Sequence, residues 1–381
     1  MDYSEFIFCE RVTFWIWKVY GIWTTKDDSS FYRAFRWIYH FFFTFLYIFA
    51  MFVSSFFTNN PEELWSEVMF MLLTELAMCT KLFILVNNFS AVLRLHQTTV
   101  SRDFLPKTDH DLKTRGHILD RFSKAMLAYY FCSLASVMSN IGLLFGDSYK
   151  LPYSNWFYWV PLGKDHQRNY HIMFAYQIFG MVGHCSLNVA ADIQVVYLLI
   201  AAGFQLDNLK DEFANLPILS TQTHVEKQIY RRTLVEHIKN FVKEVEQIFS
   251  MAVFTQACAS GITICAVMFA LSSMSIFDLE ASIPMLFYLI AMLLQIFLPC
   301  MFGNEITFKS HQLTNAIFSS DWYKLSGIER KDVMRLMLRT SKPITLKAGH
   351  FFYYSLETFT STLNTAYSIY AVLNRRKRAT R

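Results

Sequence analysis

The residues able to do chemistry interrupt long apolar runs. Glu75 and Lys81 fall inside one such run, and Gln177, His184, Asn188 and Asp192 fall inside another, spaced seven, four and four residues apart. That spacing places the second set along one face of a helix. A metal centre needs several converging His, Cys or carboxylate groups. This stripe holds one His and one Asp, so it reads as a hydrogen-bonded contact between helices, and no metal is expected. Glu75 is the most deeply placed carboxylate, and a carboxylate inside a membrane marks either a functional site or a partnered group within a bundle. The seven cysteines form no CxxC pair, so they are expected to be small buried hydrophobes without disulfides. No Gly-rich phosphate loop, HExxH, nucleophile beside a base or carboxylate pair on one face is present. The reading has no catalytic residue and no cofactor, and nucleic acid is not an expected partner.

The elements that must position these residues are membrane helices. Of 381 residues, 54% are hydrophobic and only 17% charged, which is low for a soluble domain. A helix needs roughly 20 apolar residues to cross a bilayer core. Trp37–Phe57, Ala125–Phe145, Phe249–Leu271 and Pro284–Phe302 supply them without Asp, Glu, Lys or Arg. Trp65–Val86, Tyr170–Ala201 and Gly349–Leu373 supply them with embedded charges whose polar faces should meet other helices. The expected fold is an all-α integral membrane protein with seven transmembrane helices. Lys and Arg favour the cytoplasmic side. Most of the 35 basic residues precede span one or join spans two to three, four to five and six to seven, whereas the loops joining spans one to two and five to six hold none. The amino terminus is therefore expected inside and the carboxyl terminus outside. Arg375, Arg376, Lys377, Arg378 and Arg381 run against that rule. The sequon at Asn88 falls on the cytoplasmic side and should stay unmodified.

Between spans four and five, Val225, Ile229, Leu234, Ile238, Phe241, Val245 and Ile248 recur at helical spacing among charges, marking a spanning helix that continues into the cytoplasm. Ile306–Phe318 and Gly327–Leu338 form a second helical pair that Pro343 ends, suited to anchoring subunits together. These boundaries divide the chain into a six-span bundle at 1–303, anchor helices at 304–348 and a last span with its tail at 349–381. In the outer halves of the spans, aromatic, methionine and hydroxyl residues could line a pocket for a small apolar molecule. The expected lining is Phe70, Leu73, Ser133, Ser136, Phe174, Tyr176, Met181, Met268, Phe287 and Tyr288.

Seven spans with an internal amino terminus differ from receptors that couple to G proteins, and Asn364 lacks the following proline of their seventh span. The carboxyl third instead resembles the insect odorant receptor family. The resemblance lies in Leu298-Pro299-Cys300, Asn315 to Phe318 followed by Trp322, and Ser341-Lys342-Pro343-Ile344. It continues through Ala348-Gly349, Phe351-Phe352 and Ser355 to Phe359, ending at Tyr367-Ser368. It implies a four-subunit, ligand-gated, non-selective cation channel in the plasma membrane of olfactory sensory neurons. A small volatile odorant would bind one bundle, and the last spans would surround the pore. The short segment between spans four and five lacks the long insertion of the family's co-receptor, so the resemblance implies an odour-binding subunit with co-receptor subunits and membrane lipid as partners. Carried onto span seven, it puts Asn364, Ser368, Val372, Leu373 and Arg376 along the pore, with Val372 and Leu373 as an apolar constriction. A metabotropic seven-span chemosensory receptor is the alternative reading.

Overall fold

The computed structural model describes residues 8–23, 28–57, 68–101, 109–145, 151–153, 160–161, 166–214, 224–273, 279–349 and 351–379. The start of the second span at Trp65, the side chains of Val225, Ile229 and Arg376, and the last two residues lie outside that set. The chain folds as an all-α bundle with seven membrane-crossing helices. Six of them, within Ser30–Phe57, Phe70–Asn87, Asp111–Leu143, Gln167–Ala214, Arg232–Ser272 and Ser282–Ser319, are long and apolar enough to cross a bilayer by composition. The seventh, Leu356–Ala379, has 24 residues, about 36 Å of helix, but carries a polar face. A short helix, Phe8–Val19, precedes the first span.

Span four is the axle of the bundle. Its helix has 48 residues, about 70 Å at 1.5 Å per residue, far beyond a hydrocarbon core of about 30 Å. Spans five and six also overrun the core, as helices of 50 and 41 residues. The amphipathic segment between spans four and five is thus the continuation of span five, with Leu234, Ile238, Phe241, Val245 and Ile248 buried. Beyond span six, the Lys309 ammonium lies 2.7 Å from Asp207 and 2.6 Å from Glu305. Burial alone would lower its pKa, but Asp207 and then Glu305 outweigh it, so the net shift is upward. The helix Gly327–Thr340 that follows starts on a capping box between Ser326 and Glu329.

Span one leans on span four where glycine permits it. Tyr47 donates to the Gln177 carbonyl at 3.1 Å. A Cβ added at Gly180 would sit 2.6 Å from the Tyr47 ring, and one at Gly183 would collide with the Tyr39 hydroxyl. The seventh span begins later than its apolar run suggests. Gly349 adopts a left-handed φ of 56°, and Lys347–Ala348 pairs with Phe352–Tyr353 as a small antiparallel hairpin. Helix resumes only at Leu356. The expected start at Gly349 is corrected by this turn, whose Gly349 N–H is spent on Ser250 Oγ at 2.8 Å instead of a helical carbonyl.

A polar network ties five spans together in the interior. Lys81 Nζ of span two lies 2.6 Å from Asp192 Oδ1 and donates to Asn188 Oδ1 at 2.8 Å. Tyr129 of span three donates to Asp192 Oδ2 at 2.9 Å. Gln295 of span six donates to the same carboxylate at 2.7 Å and to Asn188 at 3.1 Å, while Gln256 of span five donates to Gln295 Oε1 at 2.9 Å. A second pair, His184 and Glu75, meets at 2.7 Å. Removing one partner of a buried ion pair costs about 3–5 kcal/mol, because the other charge stays buried. Lys81→Met should therefore lower the thermal stability and surface yield of the protein sharply, and the double variant Lys81→Met/Asp192→Leu should recover much of the loss. A single variant that melts with the wild type in a detergent thermal-shift assay would contradict this role.

Candidate functional site

A small cavity adjoins that network. It is built by Met71, Thr74 and Met78 of span two, Tyr129, Ser133 and Ser136 of span three, Met181, His184 and Asn188 of span four, and Tyr288 and Met292 of span six, with Tyr153 from the loop joining spans three and four. Three- and four-residue spacings explain why these side chains share one space: each helix contributes one face. Tyr288 and Thr74 meet at 2.6 Å. Thr74 Oγ1 gives its hydrogen to the Phe70 carbonyl at 2.9 Å, so the Tyr288 hydroxyl is the donor. The Tyr153 N–H donates to Gln177 Oε1 at 3.3 Å and so ties Tyr153 to span four.

The cavity volume is about 40 Å³, room for a water or two. A volatile organic molecule needs more, and the walls are suited to yielding it. Four methionines, Met71, Met78, Met181 and Met292, contribute to the lining, and the unbranched thioether side chain repacks at little cost. Tyr129 belongs both to the wall and to the Asp192 network, so an occupant would touch a side chain that holds the bundle together.

Of the pocket residues expected from sequence, Ser133, Ser136, Met181 and Tyr288 line this cavity. Phe70 lies behind Tyr288, ring centroids 5.6 Å apart. The others face elsewhere. Tyr176 stacks on Phe43 at 5.3 Å and donates to the Phe42 carbonyl at 2.7 Å, both in span one. Phe174 packs on Tyr170, Phe287 meets the outward-facing Phe131, and Met268 joins the cluster that holds Ala366 of span seven. Leu73 is half-buried and outside the lining. These residues were chosen by depth, but a helix turns about 100° per residue, and depth says nothing of azimuth. Tyr129, Thr74, Met78 and Met292 escaped sequence reasoning, although each lies three or four residues from another lining residue on its own helix.

Span seven presents a different surface. Ala366 is buried against spans five and six, while Glu357, Thr360, Ser361, Asn364, Thr365 and Ser368 line a shallow outward groove. Val372 and Leu373 continue it as exposed apolar residues. Thr360, Thr365 and Ser368 donate their hydroxyl hydrogens to carbonyls four residues back, at 3.1, 2.8 and 2.7 Å. Their oxygen lone pairs therefore remain for an outside partner. Lipid offers such a face no donors or ions.

Residues 60–367 match the family model described as 7tm Odorant receptor. Over 376 residues the chain is 27% identical to Odorant receptor 94a of Drosophila melanogaster, spanning 95% of this chain and 96% of that protein. It is 22% identical over 402 residues to Odorant receptor Or1 of Anopheles gambiae, spanning 95% of each. The solved insect olfactory receptor OR5 from Machilis hrabei, in complex with eugenol, superposes with a TM-score of 0.83 at 16% identity, covering 96% of this chain and 97% of that one.

Proposed function

We propose, from the premise that this chain belongs to the insect odorant receptor family, that it is the odour-binding subunit of a ligand-gated, non-selective cation channel. The family is one of receptors and not of enzymes. A small volatile organic molecule would enter the methionine-lined cavity and favour an open state, and co-receptor subunits would complete a tetramer in the plasma membrane of olfactory sensory neurons. The observation that carries the channel reading is the polar outward face of span seven. A helix at the bundle's edge whose Asn364, Thr365 and Ser368 face away from their own subunit needs water there, and a central pore supplies it. Hydroxyl groups already committed as donors to the backbone offer acceptors, which suits cations. Val372, 67% exposed, and Leu373 would form an apolar constriction that dewets when closed.

Exposed Phe308, Phe318 and Ile328 on the anchor helices favour association with neighbouring subunits there. The ligand class follows from the lining. Tyr129, Tyr153 and Tyr288 offer aromatic walls and Ser133 and Ser136 offer hydroxyls, which suits a compact volatile with one polar group. Eugenol, with which the solved relative is in complex, is likewise a compact aromatic volatile.

Two outcomes test these assignments. Tyr288→Ala should raise the half-maximal concentration of the best odorant more than tenfold, about 1.4 kcal/mol, with surface expression intact; an unchanged dose-response curve would place the ligand elsewhere. Val372→Cys, treated from outside with a charged thiol reagent during odorant application, should lose its current, and more slowly when the channel is closed. A responsive mutant that ignores the reagent would remove this face from the pore.

A further inference from the structure

A large apolar recess lies outside the bundle, between spans one and two. It has a volume of about 760 Å³ and is walled by Trp37, Phe45, Phe49 and Phe52 on one side and Leu76 and Phe83 on the other. From Trp37 to Phe52 the helical rise gives it a length of about 22 Å, the reach of a long acyl chain. All six side chains are exposed, on spans whose composition suits a bilayer.

One end of the recess is cationic. The Arg36 guanidinium lies over the Trp37 ring, 5.5 Å from its centroid. Arg33 is exposed one turn earlier on the same helix, and Lys18 is held close by, its carbonyl accepting from the Tyr32 hydroxyl at 2.5 Å. Asp28 lies near the Tyr32 hydroxyl at this end. Trp37 occupies the aromatic belt level at the start of span one, on the side of the basic loops, where anionic lipids concentrate on the cytoplasmic face. Farther in, the polar groups of His40 and Thr44 are spent on each other at 3.1 Å, leaving an apolar trough behind a basic mouth.

The geometry points to a structural lipid site. The recess holds one acyl chain of an anionic glycerophospholipid from the leaflet on the basic-loop side, with its phosphate against Arg33 and Arg36. Charge complementarity favours this occupant: a sterol has no phosphate to set against the two guanidinium groups, and a zwitterionic lipid offsets its phosphate with its own cation.

The test uses the complete receptor complex, purified in mild detergent and depleted of lipid, with melting followed as phosphatidylserine, phosphatidylcholine or cholesterol is returned. Phosphatidylserine should stabilise with a half-saturating concentration at least fourfold below that of phosphatidylcholine. Arg33→Gln/Arg36→Gln should abolish that preference, and Leu76→Trp, which fills the trough, should abolish the stabilisation itself. Equal effects of the two phospholipids, stabilisation by cholesterol alone, or no response to any lipid because another helix covers the trough would each overturn the proposal. Should a variant fail to assemble, native mass spectrometry of the wild-type complex decides. Retained phosphatidylserine enriched over phosphatidylcholine supports the site, and retention in proportion to the membrane contradicts it.

Discussion

The ion pair between Lys81 and Asp192 is the constraint around which the bundle is arranged. Inside a membrane the hydrophobic effect gives helices little reason to prefer one another over lipid, and specificity falls to close packing and interhelical hydrogen bonds. Here a buried ammonium and carboxylate cannot be left without partners, so spans two and four must meet in one register. Tyr129, Asn188, Gln295 and Gln256 supply the remaining hydrogen bonds, which draws spans three, five and six to the same depth. Beside this floor the same helices line the cavity with methionine and tyrosine.

That arrangement also makes the cavity and the outer helix neighbours. Tyr288, which lines the cavity, packs as well on the cluster of Ile264, Cys265, Met292 and Ile296 that buries Ala366 of span seven. Gly261 lies against Thr362 of the same span, where an added Cβ would come within 3.4 Å. Under the proposed function, a ligand that displaces Tyr288 or Met292 therefore presses on residues that seat the pore-facing helix. No long chain of intermediates is needed.

Much of this was legible in the sequence, and the missing part has a physical cause. The spacing of Gln177, His184, Asn188 and Asp192 identified an interhelical stripe because helical periodicity is local. The stripe's partners, Lys81, Tyr129, Gln295 and Glu75, were not legible as partners, since which helix packs on which is a tertiary property. The same limit applies to Tyr176 and Phe287, which were chosen by depth and whose faces turn to span one and to Phe131. Gly349 misled in another way. Its apolar surroundings extended the span, while its left-handed backbone and the hairpin it permits ended the loop seven residues later. The face of span seven that bears Asn364, Ser368 and Val372 at four-residue intervals was singled out through the family resemblance, and in the structure Asn364 and Ser368 line an outward groove.

The central claim is that ligand binding and ion conduction belong to one assembly, and recording from excised, nucleotide-free membrane patches tests it most directly. Patches from cells expressing this chain with a co-receptor, exposed to a panel of small aromatic volatiles, should show cation channels that open within milliseconds and persist without GTP or ATP. Currents present in intact cells but lost on excision, and restored only by nucleotide, would contradict the account and favour a metabotropic receptor.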